Sequence, residues 1–164
     1  FKTYDAASYD FNYGTANPGI GADKPIAVDI FDAFLQKVQQ RAQAKNLTIR
    51  TLHSPMEKLP FAPESVDIIW CEGAIYNVGI ECGLNLWHTL LKDGGHIAFT
   101  DATWLTNERP EEIENFWQEA YPQMGTIESN LKIIEETGYQ AEQFALIHPG
   151  GAVGERLNKK ALDV

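Results

Sequence analysis

Short apolar, β-branched runs alternate along this chain with longer stretches whose apolar residues recur every three or four positions, and this alternation constrains the fold more than any other feature. It is the pattern of a mostly parallel sheet covered by helices. Parallel neighbours need a crossover of about a dozen residues or more, and a helix is the usual crossover. Ile26-Ala27-Val28-Asp29 opens the series as a short strand closed by a carboxylate, and Asp32 is placed to cap a helix with Phe34, Leu35, Val38 and Ala42 on one face. Leu47 to Leu52 reads as a second strand by its β-branched content, and Leu59-Pro60-Phe61 as a turn. Val66 to Cys71 is the next strand, broken by the glycine after Glu72. Ile80, Leu84, Trp87 and Leu91 then repeat at helical spacing as far as a stop at Asp93-Gly94-Gly95, and His96 to Thr100 is a strand again. Pro110 suits the first turn of a helix burying Ile113, Phe116, Trp117 and Ala120. Thr126 caps another, carrying Ile127, Leu131 and Ile134 and ended by Gly138. Phe144 to Ile147 is one more strand, and the stretch after Gly150-Gly151 is polar and unassigned.

At 164 residues and 44% hydrophobic, the chain can bury one compact core but not two ordinary ones. The expected organisation is a single domain, with residues 1–24 an irregular lead-in or lid, 25–148 the core, and 149–164 uncertain. A formal net charge of -10 repels phosphate backbones and anionic lipid heads, so neither nucleic acid nor a membrane surface is the expected partner. No apolar run approaches the roughly 20 residues of a membrane helix. The first residues lack the basic, apolar and small-residue regions of a secretory signal, and the expectation is a cytoplasmic protein. Cys71 and Cys82 sit in apolar surroundings without CxxC spacing and read as two buried free thiols. His53, His88, His96 and His148 show no ligand spacing, so no metal is expected.

Four features recur in one order: an acid closing the AVDIF strand, the LPF turn before SVDIIWCEGAIYNVG, the KDGGHIAFTD junction, and the ERPEEIENFW helix. Together they resemble the UbiE-like class I S-adenosylmethionine-dependent methyltransferases, especially their small bacterial members. The resemblance covers roughly residues 25 to 148. It implies a Rossmann-like α/β fold with helices on both faces of the sheet, S-adenosylmethionine as cofactor, and a small-molecule methyl acceptor.

An acid ending a strand can accept hydrogen bonds from both ribose hydroxyls of a nucleoside, and Asp29 is the candidate, with a turn-capping role as the alternative. The resemblance places Ile30 against the adenine, Met56 and Glu57 at the adenine edge, and Cys71 and Glu72 beside the methionine part of the cofactor. Many members carry an Asp in the neighbourhood that here reads Ser54-Pro55. Glu72 is the sharpest residue: a carboxylate at a strand end between Trp70, Ala74 and Ile75 is costly to bury without a donor or cation, and the cofactor carries both an α-amino group and a sulfonium. An exposed loop acid is the alternative. Tyr76, Asn77 and Trp104 are candidates to shape the acceptor pocket. The sulfonium already supplies the leaving group, so the protein must mainly align donor and acceptor. A base is needed only where the acceptor arrives protonated, and Glu72 or Asp101 is better placed for it than His96.

The family's glycine-rich cofactor loop is absent from this sequence. Gly19-Ile20-Gly21 cannot serve, because only eight residues separate Gly21 from Asp29, too few for a crossover with its helix. The fold is therefore expected to be incomplete at its first strand and C-terminal hairpin. The encoded protein is expected to hold the missing strand and loop upstream of Lys24, with junctions between Asn12 and Asp23 and after His148. Two rival readings stand beside the enzyme: an inactive methyltransferase-like module that binds cofactor or a partner, and a nicotinamide-dependent oxidoreductase. The second would need GxGxxG after a first strand and has no use for the LPF and DGG landmarks.

Overall fold

The computed structural model describes residues 25–142 and the backbone of the strands Phe144–Ile147 and Val153–Leu157. The lead-in, Gly19-Ile20-Gly21 and both expected junctions lie outside the described residues. The chain divides into two compact units between Ser65 and Val66.

In the first unit, strand β1 (Ile26–Asp29) leads into helix α1 (Asp32–Ala44) and then strand β2 (Arg50–His53). The two strands pair in parallel from Ile26 opposite Arg50 to Asp29 opposite His53. α1 buries Leu35, Val38 and Ala42, one stripe at helical spacing, while Phe34 is half-buried. Asp32 does not cap this helix: it is the first helical residue, and the capping position belongs to Phe31, whose side chain makes no cap. Asp32 Oδ1 instead lies 2.6 Å from His53 Nδ1, engaged across the unit.

The second unit opens with β3 (Val66–Cys71), a 3-10 turn (Ile75–Asn77), α2 (Ile80–His88) and β4 (Leu91–Phe99). β3 and β4 pair in parallel. Here the helix stops earlier than its apolar spacing suggests, and Leu91 belongs to a strand. Asp93-Gly94-Gly95 does not end a helix but forms a bulge inside β4, because Val66 pairs with Leu91 while Ile68 pairs with His96. The surplus residues are looped out, helped by the left-handed backbone of Gly94 at φ +68°. Lys92 Nζ reaches Asp67 Oδ1 at 2.7 Å across the bulge.

The core of this unit centres on Ile75 and Leu84, both fully enclosed, with Ile80, Trp87, Leu91, Cys71 and Tyr121 around them. Helix α3 (Glu111–Ala120) starts after Pro110 at its cap. It buries no residue completely: Ile113 and Phe116 are about half exposed, against expectation, and only Trp117 is partly covered. Helix α4 (Ile127–Glu136) packs on α2 and begins with a capping box in which Thr126 and Ser129 exchange hydrogen bonds. Tyr139 follows it, donating to the Leu84 carbonyl at 3.1 Å. β5 (Phe144–Ile147) then pairs antiparallel with β6 (Val153–Leu157). The fold was expected to be incomplete at its C-terminal hairpin, and the described residues hold this one short antiparallel pair there. Backbone pairing does not require apolar side chains, so the polar VGERL stretch gave no strand signal.

Among the described residues the named strands form three two-stranded sheets, two parallel and one antiparallel, beside an isolated bridge between Trp104 and Thr126. Both parallel pairs are joined through a helix, and the α/β class with parallel strands stands.

Candidate functional site

Open α/β sheets bind ligands at the carboxyl ends of their strands, so the residues just past β1, β3 and β4 are the ones to consider. In the first unit Asp29 closes β1, and its Oδ1 accepts from the Phe31 amide at 2.8 Å. One carboxylate oxygen thus fixes the turn into α1, and the other remains as an acceptor. Ile30, beside it, is 51% exposed, an apolar side chain half uncovered at the strand end. Past β2, Ser54 is buried, and its hydroxyl faces the carbonyls of Pro55 and Lys58. That bond organises the loop bearing half-buried Met56 and exposed Glu57.

The second unit brings more of the expected residues together. After Cys71 the chain turns through Gly73, whose φ of +57° is left-handed. The Gly73 amide donates to Thr100 Oγ1 at 2.8 Å, and the Thr100 amide donates to the Cys71 carbonyl at 3.1 Å. The loops leaving β3 and β4 are thereby tied to each other, holding Glu72 and Asp101 on neighbouring strand ends. Glu72 is half-buried and accepts from Trp70 Nε1 at 3.3 Å, a long bond from a side chain that is itself 59% exposed. Cys71 is buried, and burial pushes its thiol up to about 11, which makes it packing rather than a nucleophile. Cys82, expected to be buried, is exposed because it falls on the outer face of α2.

Asp101 is the most perturbed acid. Burial raises its carboxyl to about 6, against the pull of hydrogen bonds from the Tyr121 hydroxyl and the Ala102 amide. Tyr121 donates to Oδ2 at 2.9 Å, while Oδ1 is buried without a hydrogen-bond partner. Tyr121 is itself buried, and desolvation together with the neighbouring carboxylate holds its hydroxyl far above the usual phenol range, so it stays a donor. Tyr76 leans on the Tyr121 ring at 6.0 Å between centroids, and Asn77 donates to the Ala74 carbonyl at 2.9 Å, closing its own turn.

Three residues past Asp101, Trp104 is fixed through its backbone, donating to the Gly125 carbonyl at 2.8 Å. The Arg109 guanidinium lies 4.3 Å over its ring. His96, the weaker base candidate, is exposed on β4 and 3.6 Å from Glu142.

Sequence reasoning missed Thr100, Tyr121 and Arg109. Tyr121 gave only an aromatic at a helix end, which equally suits packing. Thr100 had the better signal, a hydroxyl immediately after a strand and before an acid. The pair formed by His53 at the end of β2 and Asp32 at the start of α1 was also not foreseen. Among the described residues no helix is long and apolar enough to cross a membrane, and no cluster of His, Cys, Asp and Glu could hold a metal ion.

A family model described as a methyltransferase domain matches residues 17–99 of the chain. No curated protein matches closely enough to serve as a relative. Among solved structures the chain is similar to the YcgJ protein from Bacillus subtilis, with 20% identity, a TM-score of 0.59, and coverage of 74% of this chain and 56% of that one. It is similar to Haemonchus contortus phosphoethanolamine N-methyltransferase 2, solved with phosphomonomethylethanolamine and S-adenosylhomocysteine (17% identity, TM-score 0.62, 74% and 29% covered). A third is geranyl diphosphate C-methyltransferase from Streptomyces coelicolor A3(2), solved with Mg2+, geranyl diphosphate and S-adenosylhomocysteine (16% identity, TM-score 0.56, 73% and 45% covered). At these identities the likeness is one of fold, and the chain spans little more than half of even the first of them.

Proposed function

Because the chain belongs to the methyltransferase domain family, we propose that it carries out methyl transfer from S-adenosylmethionine to a small-molecule acceptor. The family match over residues 17–99, ending at the strand that delivers Asp101, carries this reading. The cofactor, when bound, supplies an activated methyl on a sulfonium that needs no further activation by the protein.

The residues present fit such a group. Asp29 keeps one carboxylate oxygen beyond the bond that fixes its turn, which suits a pair of ribose hydroxyls. Ile30 offers a half-exposed apolar side chain for the adenine, with Met56 and Glu57 at its edge. Cys71 presents its backbone, and Glu72, with a single long hydrogen bond, has acceptor capacity left for an ammonium. Tyr76, Asn77 and Trp104 border the acceptor. Asp101 is the proton acceptor: ionised at neutral pH yet titrating near 6, it has a buried oxygen awaiting a donor. Two of the structural neighbours were solved with small phosphorylated molecules and S-adenosylhomocysteine, which supports a small acceptor.

Calorimetric titration of the full-length protein with S-adenosylhomocysteine tests the reading. Binding with a dissociation constant of about 100 μM or tighter is expected. Absence of heat and of any thermal stabilisation at millimolar ligand would reject it.

A further inference from the structure

We propose that Arg109, stacked on Trp104, is an anion-binding residue that recognises a carboxylate or phosphate group on the methyl acceptor. The inference rests on the methyltransferase reading and names the acceptor's chemical class.

Arginine is always charged and carries five N–H donors in a planar fork. Arg109 is only 20% exposed in its side chain, in a protein with 13 basic and 23 acidic residues that could leave it in solvent at little cost. One face of the guanidinium is occupied by Trp104, 4.3 Å away, and this stacking leaves the in-plane N–H edges to be satisfied elsewhere. They are not fully satisfied: Nε is buried and has no hydrogen-bond partner. Native proteins rarely leave a buried donor of this kind unpaired, and functional sites are where such exceptions have a use.

Glu114 is the obvious structural partner, and it does not fill that role. Its Oε1 lies 3.6 Å from one terminal nitrogen, beyond hydrogen-bond distance, and its side chain is 55% exposed. An arginine retained to serve a carboxylate forms short, paired bonds with it, as fork geometry allows. Here the fork is preorganised by the indole, one edge is idle, and the nearest carboxylate is loosely placed and able to swing away. Because Nε is buried, a carboxylate or phosphate meets the idle edge as the exposed Glu114 side chain swings away, and a neutral group does so poorly. Location adds to this. Trp104 leaves the same strand end as Asp101, separated from it by two residues, and its backbone is pinned to Gly125. The anion site is therefore anchored to the loop that carries the proposed proton acceptor.

The Arg109 Nε–H resonance of the full-length protein, assigned by its disappearance in Arg109→Lys, gives a direct readout during titration with inorganic phosphate and with acetate. A saturating downfield shift is expected with at least one of them, phosphate-selective for a phosphorylated acceptor and acetate-selective for a carboxylic one. Arg109→Lys should weaken binding of that anion about tenfold or more by calorimetry, since the fork is lost while the charge is kept. Glu114→Gln, at an exposed position, should tighten it about two- to fivefold by removing the competing carboxylate. A resonance that stays still up to about 50 mM of either anion overturns the proposal, as does an affinity unchanged in Glu114→Gln. The titration is repeated with saturating S-adenosylhomocysteine. Persisting anion binding supports the acceptor assignment, and its abolition means that Arg109 serves the cofactor's own carboxylate, which refutes it. If S-adenosylhomocysteine does not bind, the methyltransferase reading fails, while the resonance still reports whether Arg109 takes an anion.

Discussion

Asp101 joins chemistry to stability. Its carboxyl titrates near 3.8 when exposed and near 6 in the fold, so the protonated form is the one the fold prefers. The stabilisation linked to it is complete below about pH 4 and is lost as pH rises through about 6. After allowance for the solvent that reaches the site, this amounts to about 1 to 2 kcal/mol. Asp101→Asn should flatten that fall in urea-denaturation curves recorded between pH 4 and 7, and an unchanged slope would mean another group is responsible. Tyr121→Phe removes a hydrogen bond that favours the charged form, and should move the Asp101 midpoint above its wild-type value in carbon NMR of the carboxyl. Asp29 separates two roles. Asp29→Asn keeps an oxygen for the Phe31 amide and should hold its melting temperature, yet weaken S-adenosylmethionine binding by about 1 to 3 kcal/mol. Unchanged affinity in calorimetry would leave Asp29 with its turn alone. Glu72→Gln, likewise, should lower cofactor affinity with little loss of stability, because the bond from Trp70 is long and solvent-exposed.

Secondary-structure elements carry the site through their ends rather than their middles. β3 and β4 end level with each other because the Gly73 amide, the Thr100 hydroxyl and the Cys71 carbonyl lock their exits. The bulge at Asp93-Gly94-Gly95 shows how local signals mislead. Two glycines after an acid are a common helix stop, but β4 needed the same residues to correct its register against β3. Helix α4 is the contrasting case, where the cap read from Thr126 is the one formed. Thr126→Ala should cost about 1 kcal/mol in chemical denaturation, the usual worth of such a cap. A loss under 0.3 kcal/mol or so would show that packing against α2 alone holds the helix start.

Across the molecule, most strand and helix positions were legible because they depend on local periodicity: β1, β3 and β5 lie where their apolar runs lie, and α1 buries the stripe its spacing marks. The family was legible for a related reason. Its landmarks are turn and strand-end residues read from this chain alone, and the family model matches residues 17–99 although overall identity to the similar solved structures is 20% or less. Burial was less legible, since an amphipathic stripe states which face of a helix is apolar and not whether anything covers it. Ile113 and Phe116 on α3 are the instance, apolar in pattern and half exposed in place. The polar β6 was hidden because strand pairing is a property of backbones. Asp101 and Glu72 were recognisable as strand-end acids, and the sequence put Glu72 first, whereas the fold perturbs Asp101 most. A carboxylate's proton affinity depends on desolvation and on donors distant in sequence, and Tyr121, 20 positions on, reaches Asp101 only through the fold. The same holds for Arg109. Its charge and its neighbour Glu114 are written in the chain, while its stacking on Trp104 and its unpaired Nε were decided by tertiary packing, which alone determines which donors are buried and which of them find partners.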